Sequence, residues 1–264
     1  MVTQKPKPVV LVFAGLDPSG GAGLTADAVT LQALGCHAAC VATAITVQNT
    51  EKVYGYETLD PRLIEAQADA VIEDMPVVAV KTGMLGSAAV AAGVARVMER
   101  LPGVPLIVDP VIASDAGDAL ANADFARTLM SRLAPRAILL TPNLPEARLL
   151  SGIEGSPDEC AAELMRYLRG YLLIKGTHDD TPDVVHRLYF GGRAPVSWKF
   201  PRRPGTYHGS GCTLASAATA YLAHGQQMSD AVTAALAYTF RSVFKAYKPG
   251  QGQFVPDRLG ACRA

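Results

Sequence analysis

A glycine-rich segment late in the chain, HGSGCT at residues 208–213, has the composition of an anion-binding helix start. An alanine-rich stretch follows it and predicts a helix over about 211–224. Its small residues leave backbone N–H groups unobstructed at the positive helix end, which suits a phosphoryl group in transfer. The helix dipole is expected to lower the pKa of the Cys212 thiol, so that a thiolate could accept a proton from a substrate hydroxyl. A buried small residue in a tight turn is the alternative interpretation of this cysteine.

Carboxylates and an amide follow predicted strands in the middle of the chain. Asn143 and Glu146 lie three residues apart in TPNLPEA, so their side chains share one side of the first turn of a helix. Asp109 follows another predicted strand and adds a second carboxylate to the same edge. Mg²⁺ prefers such hard oxygen ligands together with water and phosphate. Alternatively, Glu146 only complements the dipole of its helix.

The segment GLDPSGGAG, residues 15–23, joins the first predicted strand to a helix. Its glycines allow the backbone to approach a ligand closely, and a helix start favours a polar or anionic group. The segment contains neither GxGxxG nor the Walker A pattern, and Asp17 is a poor neighbour for a phosphate. We interpret it as a loop that closes over a polar small molecule, with the Asp27 carboxylate available for hydrogen bonding. A simple strand-to-helix turn is the alternative.

The elements that must hold these segments alternate along the chain. Apolar runs predict strands at VVLVFAGL, AACVATAI, VVAVKTGML, PLIVDPV, AILLTPN and YLLIKGTH, with helical patterns between them. RLYF and VSWKF predict a hairpin around residues 191–192, before two final helices. Near-continuous apolar strands separated by helices indicate an α/β fold, a three-layer α/β/α sandwich around a mainly parallel sheet.

Ligands of such sheets bind beyond the carboxyl ends of the strands. We therefore expect the polar residues that end the predicted strands to meet in one cleft. These residues are Asp17, Gln48, Asp109, Asn143 and Lys175. Three histidines, His37, His186 and His224, are predicted to be surface or helix-cap residues instead.

Composition narrows the class of protein. The 264 residues contain 24 Lys+Arg and 24 Asp+Glu, and 49% are hydrophobic, which suits one domain over residues 1–264 with a loose tail at 1–8. The balanced charge argues against nucleic-acid or membrane-surface partners, and no apolar stretch reaches the roughly 18 residues that span a bilayer. Five cysteines without a CxxC pair favour the reducing cytoplasm.

Seven segments occur in the order GLDPSGGAG, ITVQNT, KTGMLG, VDPV, LTPNLPEA, IKGTH and HGSGCT. In this order, over about residues 9–252, they resemble the hydroxymethylpyrimidine/phosphomethylpyrimidine kinases of thiamine biosynthesis, in the ribokinase-like superfamily. The resemblance implies a kinase that uses ATP and Mg²⁺ to phosphorylate the hydroxymethyl group of 4-amino-5-hydroxymethyl-2-methylpyrimidine, and often the monophosphate as well. It also implies a homodimer; a monovalent-cation requirement stays open.

The resemblance assigns roles to individual residues. The pyrimidine would be held by groups matching Gly15, Asp27, Gln48 and Met84, with Val111 lining the ring pocket. The metal and nucleotide phosphates would be positioned by groups matching Glu146, Asp109, Asn143 and Lys175. The anion hole would comprise Gly209 and Gly211, with Ser210 beside the nucleotide and Cys212 as the base.

Four positions depart from the family pattern. Tyr207 and Ser210 replace two threonines, Thr177 replaces a glycine and Ile112 replaces a methionine. Ser210 keeps a hydroxyl, so the anion hole is expected to survive, whereas Tyr207 and Ile112 are expected to reshape the rim of the nucleotide or substrate site. A second phosphorylation needs a mobile flap, and residues 112–121 and 203–208 have suitable compositions.

Two other functions stay open. A pyridoxal or pyridoxine kinase would act on a similar ring and hydroxymethyl group, although Gln48 and Met84 favour the aminopyrimidine. A non-catalytic pyrimidine-binding regulator would be expected to lack the base or the metal-binding glutamate, and both Cys212 and Glu146 are present.

Overall fold

The computed structural model describes residues 6–112, 123–179 and 181–262. Its strands are β1 Val9–Leu16, β2 His37–Gln48, β3 Val53–Thr58, β4 Val77–Thr82, β5 Leu106–Val108, β6 Ala137–Leu140, β7 Tyr171–Ile174, β8 Asp183–Tyr189 and β9 Val196–Pro201. Its α-helices are α1 Gly23–Ala33, α2 Pro61–Asp74, α3 Ala88–Glu99, α4 Ala123–Thr128, α5 Leu144–Ser151, α6 Pro157–Leu164, α7 Ser210–Ala223 and α8 Met228–Phe244.

All the strands belong to one sheet in the order β3-β2-β1-β4-β5-β6-β7-β8-β9. The strands from β2 to β7 in this order run parallel, so their carboxyl ends meet at the same edge. The chain passes from β1 to β2 on one side and then crosses to β4 on the other. This change of direction opens a crevice at the carboxyl edge.

Two edges of the sheet are antiparallel. β8 and β9 form the hairpin that the sequence predicts, and β8 pairs antiparallel with β7. β3 pairs antiparallel with the end of β2 and was not predicted, because its residues, VYGYET, contain a glycine and polar groups rather than an apolar run.

Helices cover both faces of the sheet. A large apolar cluster packs α2 to α6 against one face, and two smaller clusters pack α1, α7 and α8 against the other. The alanine, serine and threonine side chains of α7 are buried over most of its length, and their small size lets this helix lie close to the sheet. The predicted three-layer α/β/α architecture is confirmed.

Near the C-terminus, Val255 and Ala261 are buried, and Ala261 belongs to one of the smaller apolar clusters. Val9 begins β1, and residues 1–5 of the predicted tail lie outside the described residues. No helix in the described part combines the length and apolar character that crossing a membrane requires.

Candidate functional site

A cavity of about 80 Å³ lies at the carboxyl edge of the parallel strands. Every parallel strand supplies part of its wall. The first strands contribute Gly15, Asp17, Gln48 and Met84. The later strands contribute Asp109, Val111, Asn143, Glu146 and Lys175. The start of α7 closes the cavity with Gly209, Gly211 and Cys212. The predicted meeting of polar strand ends in one cleft is therefore present.

A lysine lies between two of the three carboxylates that line the cavity, Asp109 and Glu146. Lys175 Nζ is 2.8 Å from Asp109 Oδ1 and 3.8 Å from Glu146 Oε2. The Thr141 hydroxyl also donates to Asp109 Oδ1. Burial alone would raise the pKa of Asp109, but the charges of Lys175 and Lys81 lower it. Burial alone would lower the pKa of Lys175, but Asp109 and Glu146 raise it, so the group is an ion network at neutral pH.

Glu146 is held in place by the start of α5. The Asn143 side chain accepts a hydrogen bond from the Glu146 amide, and Glu146 Oε2 accepts one from the Asn143 amide, both at 2.8 Å. This capping box fixes the carboxylate at the cavity wall. No group of three or more His, Cys, Asp or Glu side chains that could enclose a metal occurs in residues 6–112, 123–179 and 181–262. Two carboxylates on one wall fit a Mg²⁺ ion whose other ligands are water and phosphate.

The start of α7 has the form of an anion hole. Gly209 precedes the helix with φ of +78°, and a Cβ there would overlap the Gly21 carbonyl oxygen, so only glycine fits. Helix geometry leaves the N–H groups of the first turn, Ser210 to Cys212, without intrahelical acceptors. Because Gly211 and Cys212 line the cavity, this positive helix end faces the site where polar strand ends meet.

Cys212 lies on the cavity wall and is partly buried. Its environment does not activate the thiol in the way the sequence suggested. Burial raises the pKa of Cys212 to about 12; the charge of Lys81 opposes this shift, and Asp27 and Asp109 reinforce it. The expectation of a lowered thiol pKa is wrong, because burial disfavours the charged thiolate at this position.

Asp27 does not line the cavity. It is fully buried, and both its oxygens accept hydrogen bonds from Lys81 Nζ, at 2.9 and 2.8 Å. The Ser216 hydroxyl donates to Asp27 Oδ1 at 2.8 Å. The prediction that Asp27 hydrogen-bonds a substrate directly is therefore corrected: its carboxylate is occupied by an internal ion pair beneath the cavity.

Asp17 organises the loop at residues 15–23. Its carboxylate accepts hydrogen bonds from the amides of Ser19 and Ala22, each at 2.8 Å, and lies 2.9 Å from His208 Nε2. Burial alone would raise the pKa of Asp17, but these partners lower it to about 2. The loop after β1 is thus joined to the anion-hole segment, and Asp17 is a charged group that already has partners.

The apolar part of the small cavity lies on the side of β2 and β4. Met84 and Val111 pack together with Ala44, and a Cβ on Gly15 would be 3.1 Å from the Met84 sulfur. Gln48 adds an amide to this side. An apolar wall with one amide donor and acceptor suits a flat, polar-edged ring.

A second cavity, of about 370 Å³, shares Asn143, Lys175 and Gly211 with the first. Its walls include Thr177, His178, Ser210 and Tyr207, and an apolar part is formed by Phe200, Phe240 and Val243. Tyr207 lines this cavity and packs against Phe254, with 5.7 Å between ring centroids. Ile112 instead packs in the core and does not reach either cavity wall.

His186 was expected at the surface, and this is wrong. It is 9% exposed and lines the larger cavity. Burial lowers its pKa to about 4, so the imidazole is neutral at pH 7. His37 is exposed and His224 ends α7, as predicted.

Sequence reasoning missed three groups around the site: the partner of Asp27, the contact between Asp17 and His208, and Arg258. Lys81 was a readable signal, because a lysine inside an apolar strand needs a buried partner. The other two contacts join residues about 190 and 240 positions apart and leave no local pattern. Residues 113–121 of the first proposed flap lie outside the described residues.

Known proteins with similar sequences identify the family of this chain. Residues 17–257 match the family described as phosphomethylpyrimidine kinase. The chain is 41% identical over 251 residues to the hydroxymethylpyrimidine/phosphomethylpyrimidine kinase of Mycobacterium tuberculosis H37Rv, covering 93% of this chain and 91% of that protein.

Two solved structures are also similar. Pyridoxal kinase from Staphylococcus aureus in complex with ADP has a TM-score of 0.88 at 29% identity, covering 98% of this chain and 96% of that one. Phosphomethylpyrimidine kinase from Clostridium difficile 630 has a TM-score of 0.78 at 34% identity, covering 90% and 100%. The ribokinase-like fold implied by the seven motifs is thereby confirmed. With most of its length matched in sequence and in fold, this chain belongs to the phosphomethylpyrimidine kinase family.

Proposed function

We propose that the protein transfers a phosphoryl group from ATP to the hydroxymethyl group of 4-amino-5-hydroxymethyl-2-methylpyrimidine, and then to the monophosphate, in thiamine diphosphate biosynthesis. The observation that carries the proposal is the junction of two cavities at the carboxyl ends of the parallel strands. A small, polar-edged cavity meets a larger one at Asn143, Lys175 and Gly211, which is the arrangement that transfer between two bound molecules requires.

The nucleotide would occupy the larger cavity. Its apolar aromatic side suits a base, and its junction with the small cavity suits the phosphates. Lys175 and the capping residue Asn143 lie at that junction, and Ser210 lies at the start of α7 beside it. The similar pyridoxal kinase is known in complex with ADP, which supports the use of an adenine nucleotide.

The two carboxylates would serve the metal. Glu146 and Asp109 are the residues that would hold Mg²⁺, directly or through water, and the ion would neutralise phosphate oxygens. The ammonium group of Lys175, which lies between them, would also interact with the phosphate oxygens. We propose no residue for a monovalent cation.

The pyrimidine would lie against the apolar side of the small cavity. Met84 and Val111 would contact its faces, Gln48 would bond its polar edge, and Gly15 would leave room for the ring. Asp27 would act only from beneath, by fixing Lys81.

Proton transfer would involve the thiolate form of Cys212. Because burial raises the pKa of this thiol, the thiolate is a minor species at neutral pH, and the positive charges of Lys81 and of a bound Mg²⁺ would favour it. Phosphoryl transfer proceeds through a loose transition state, in which the bond to the attacking hydroxyl oxygen is barely formed. The hydroxyl group can therefore lose its proton late in the reaction. The Cys212 thiolate would accept the hydroxyl proton and become a thiol, as the new P–O bond forms and the bond between the γ-phosphorus and ADP breaks. The amides at Gly209 to Cys212 would bind the equatorial oxygens meanwhile.

Pyridoxal kinase is the second candidate, because solved pyridoxal kinases superpose on nearly the whole chain. We also propose a homodimer in the cytoplasm. Val47 and Tyr54, on the paired ends of β2 and β3, are 65% and 59% exposed and offer an apolar contact surface.

A coupled ADP-release assay tests the function. We expect the highest kcat/KM with hydroxymethylpyrimidine, measurable turnover with its monophosphate and weaker turnover with pyridoxal. Equal or better turnover with pyridoxal would favour the second candidate. ADP release that no acceptor stimulates would contradict both.

A further inference from the structure

A buried arginine from the C-terminal segment lies behind the anion hole. Arg258 is 5% exposed, and it lies one residue past the segment that matches the family. Its Nη2 donates to the carbonyl oxygens of Gly21, at 2.6 Å, and Gly209, at 3.4 Å. Its Nε donates to the Thr213 hydroxyl at 3.0 Å.

All of these acceptors are uncharged. Among the described residues, no carboxylate lies within ion-pair distance of Arg258. A buried cation normally has a charged partner, since burial without one is costly. Here the guanidinium is placed beside the positive end of α7, so the two like charges reinforce each other. Such an arrangement is stabilised when an anion occupies the neighbouring cavity.

The hydrogen bonds of Arg258 also join the two loops that form the site. Gly21 belongs to the loop after β1, and Gly209 is the residue before α7. The backbone of Arg258 is itself fixed, because the buried Tyr238 hydroxyl donates to its carbonyl oxygen at 2.7 Å. The guanidinium therefore sets how close the substrate loop lies to the anion hole.

We propose that Arg258 is a positioning residue for phosphoryl transfer, which holds the anion-hole backbone against the substrate loop and adds a fixed positive charge behind it. The inference rests on the proposed kinase function. Arg258 would act through the backbones of Gly209 and Gly21, because its side chain does not line either cavity.

The test compares Arg258→Gln and Arg258→Lys with Arg241→Gln, by steady-state kinetics and urea unfolding. Arg241 is a matched control, because it donates to the Ala261 carbonyl oxygen and ties the same C-terminal segment to α8 away from the cavities. In Arg258→Gln we expect kcat to fall about 10²-fold, the cost of a misplaced reacting group, with the pyrimidine KM within about threefold. Arg258→Lys retains the charge but not the planar guanidinium that donates to several acceptors at once, so its kcat should fall about tenfold.

The outcomes separate this inference from the proposed function. A wild-type protein that does not phosphorylate the pyrimidine contradicts the function. An active wild type whose Arg258→Gln kcat stays within threefold of Arg241→Gln overturns the inference. If Arg258→Gln does not fold, Arg258→Lys decides: a wild-type kcat overturns the inference, and a reduced kcat with unchanged KM supports it.

Discussion

Two buried lysine–aspartate pairs lie close together in this fold and differ in what they can still bind. Lys81 and Asp27 are both 0% exposed, and Asp27 is saturated by Lys81 and Ser216. Lys175 and Asp109 are 9% and 1% exposed, and both line the cavity next to Glu146.

The difference shows that burial alone does not identify a functional charge. The pair inside the fold contributes to stability and to a constant electrostatic field. Its charges are already paired with each other and buried, so they cannot bind a ligand. The pair on the cavity wall can transfer part of its bonding to an incoming phosphate or metal. The same substitution, lysine to methionine, should therefore lower mainly activity in the pair on the cavity wall and mainly stability in the pair inside the fold.

The largest effect on activity is expected at the pair on the cavity wall, Lys175 and Asp109. Lys175→Met removes the cation at the junction of the cavities, so kcat/KM for ATP should fall about 10²–10³-fold. The free energy of unfolding should fall less than in Lys81→Met, because cavity water can reach the remaining carboxylates. Steady-state kinetics and urea unfolding measure both. An unchanged kcat/KM would remove Lys175 from the site.

The largest effect on stability is expected at the pair inside the fold, Lys81 and Asp27. Lys81→Met leaves Asp27 buried without its cation, which should cost about 3–5 kcal/mol in the free energy of unfolding. The double variant Lys81→Met/Asp27→Leu removes both charges and should recover most of that loss. If it is no more stable than Lys81→Met, the ion pair is not the source of the effect.

A smaller, pH-dependent effect is expected at Asp17. Its pKa is lower in the folded chain, about 2, than in the unfolded chain, so the ionised form stabilises the fold. This contribution, about 2 kcal/mol, is complete above roughly pH 4 and is lost as the pH falls toward about 2. Asp17→Asn should therefore be less stable than wild type at pH 7, and the gap should narrow below pH 4. A gap independent of pH would contradict the assignment.

The smallest effect is expected in a comparison of two capping boxes, which distinguishes the placing of a site residue from the stability of a helix. Asn143 and Ser156 cap α5 and α6 in the same way, but only Asn143 holds a residue of the cavity. Replacing either with Ala should cost about 1 kcal/mol of stability. Only Asn143→Ala should lower kcat/KM for ATP, by about tenfold, as Glu146 loses a hydrogen bond that fixes it. Equal activities in the two variants would argue against a role for Glu146.

The sequence was sufficient for features with a local pattern. Apolar runs predicted the parallel strands, and the polar residues after them, such as Asp109 and Lys175, were predicted to meet because parallel strands share one edge. The family resemblance added expected roles for residues such as Met84, which the structure places on the cavity wall.

What the sequence missed depends on distant contacts and on burial. Asp27 was taken for a ligand because its partner is 54 residues away on β4. The thiol of Cys212 was expected to ionise easily, because the helix start is visible in sequence and the desolvation is not. Arg258 had no motif, and its hydrogen bonds join it to Thr213 and Gly21, which are distant from it in sequence.

The central claim is that phosphoryl transfer occurs at the start of α7, with the Cys212 sulfur as the acceptor of the hydroxyl proton. It is tested most directly by the kcat of Cys212→Ala with hydroxymethylpyrimidine and ATP, beside Cys160→Ala, which alters a buried cysteine away from the cavities. The account predicts a fall of about 10²–10⁴-fold in Cys212→Ala, with a substrate KM near that of wild type. Turnover of Cys212→Ala equal to that of Cys160→Ala would contradict it.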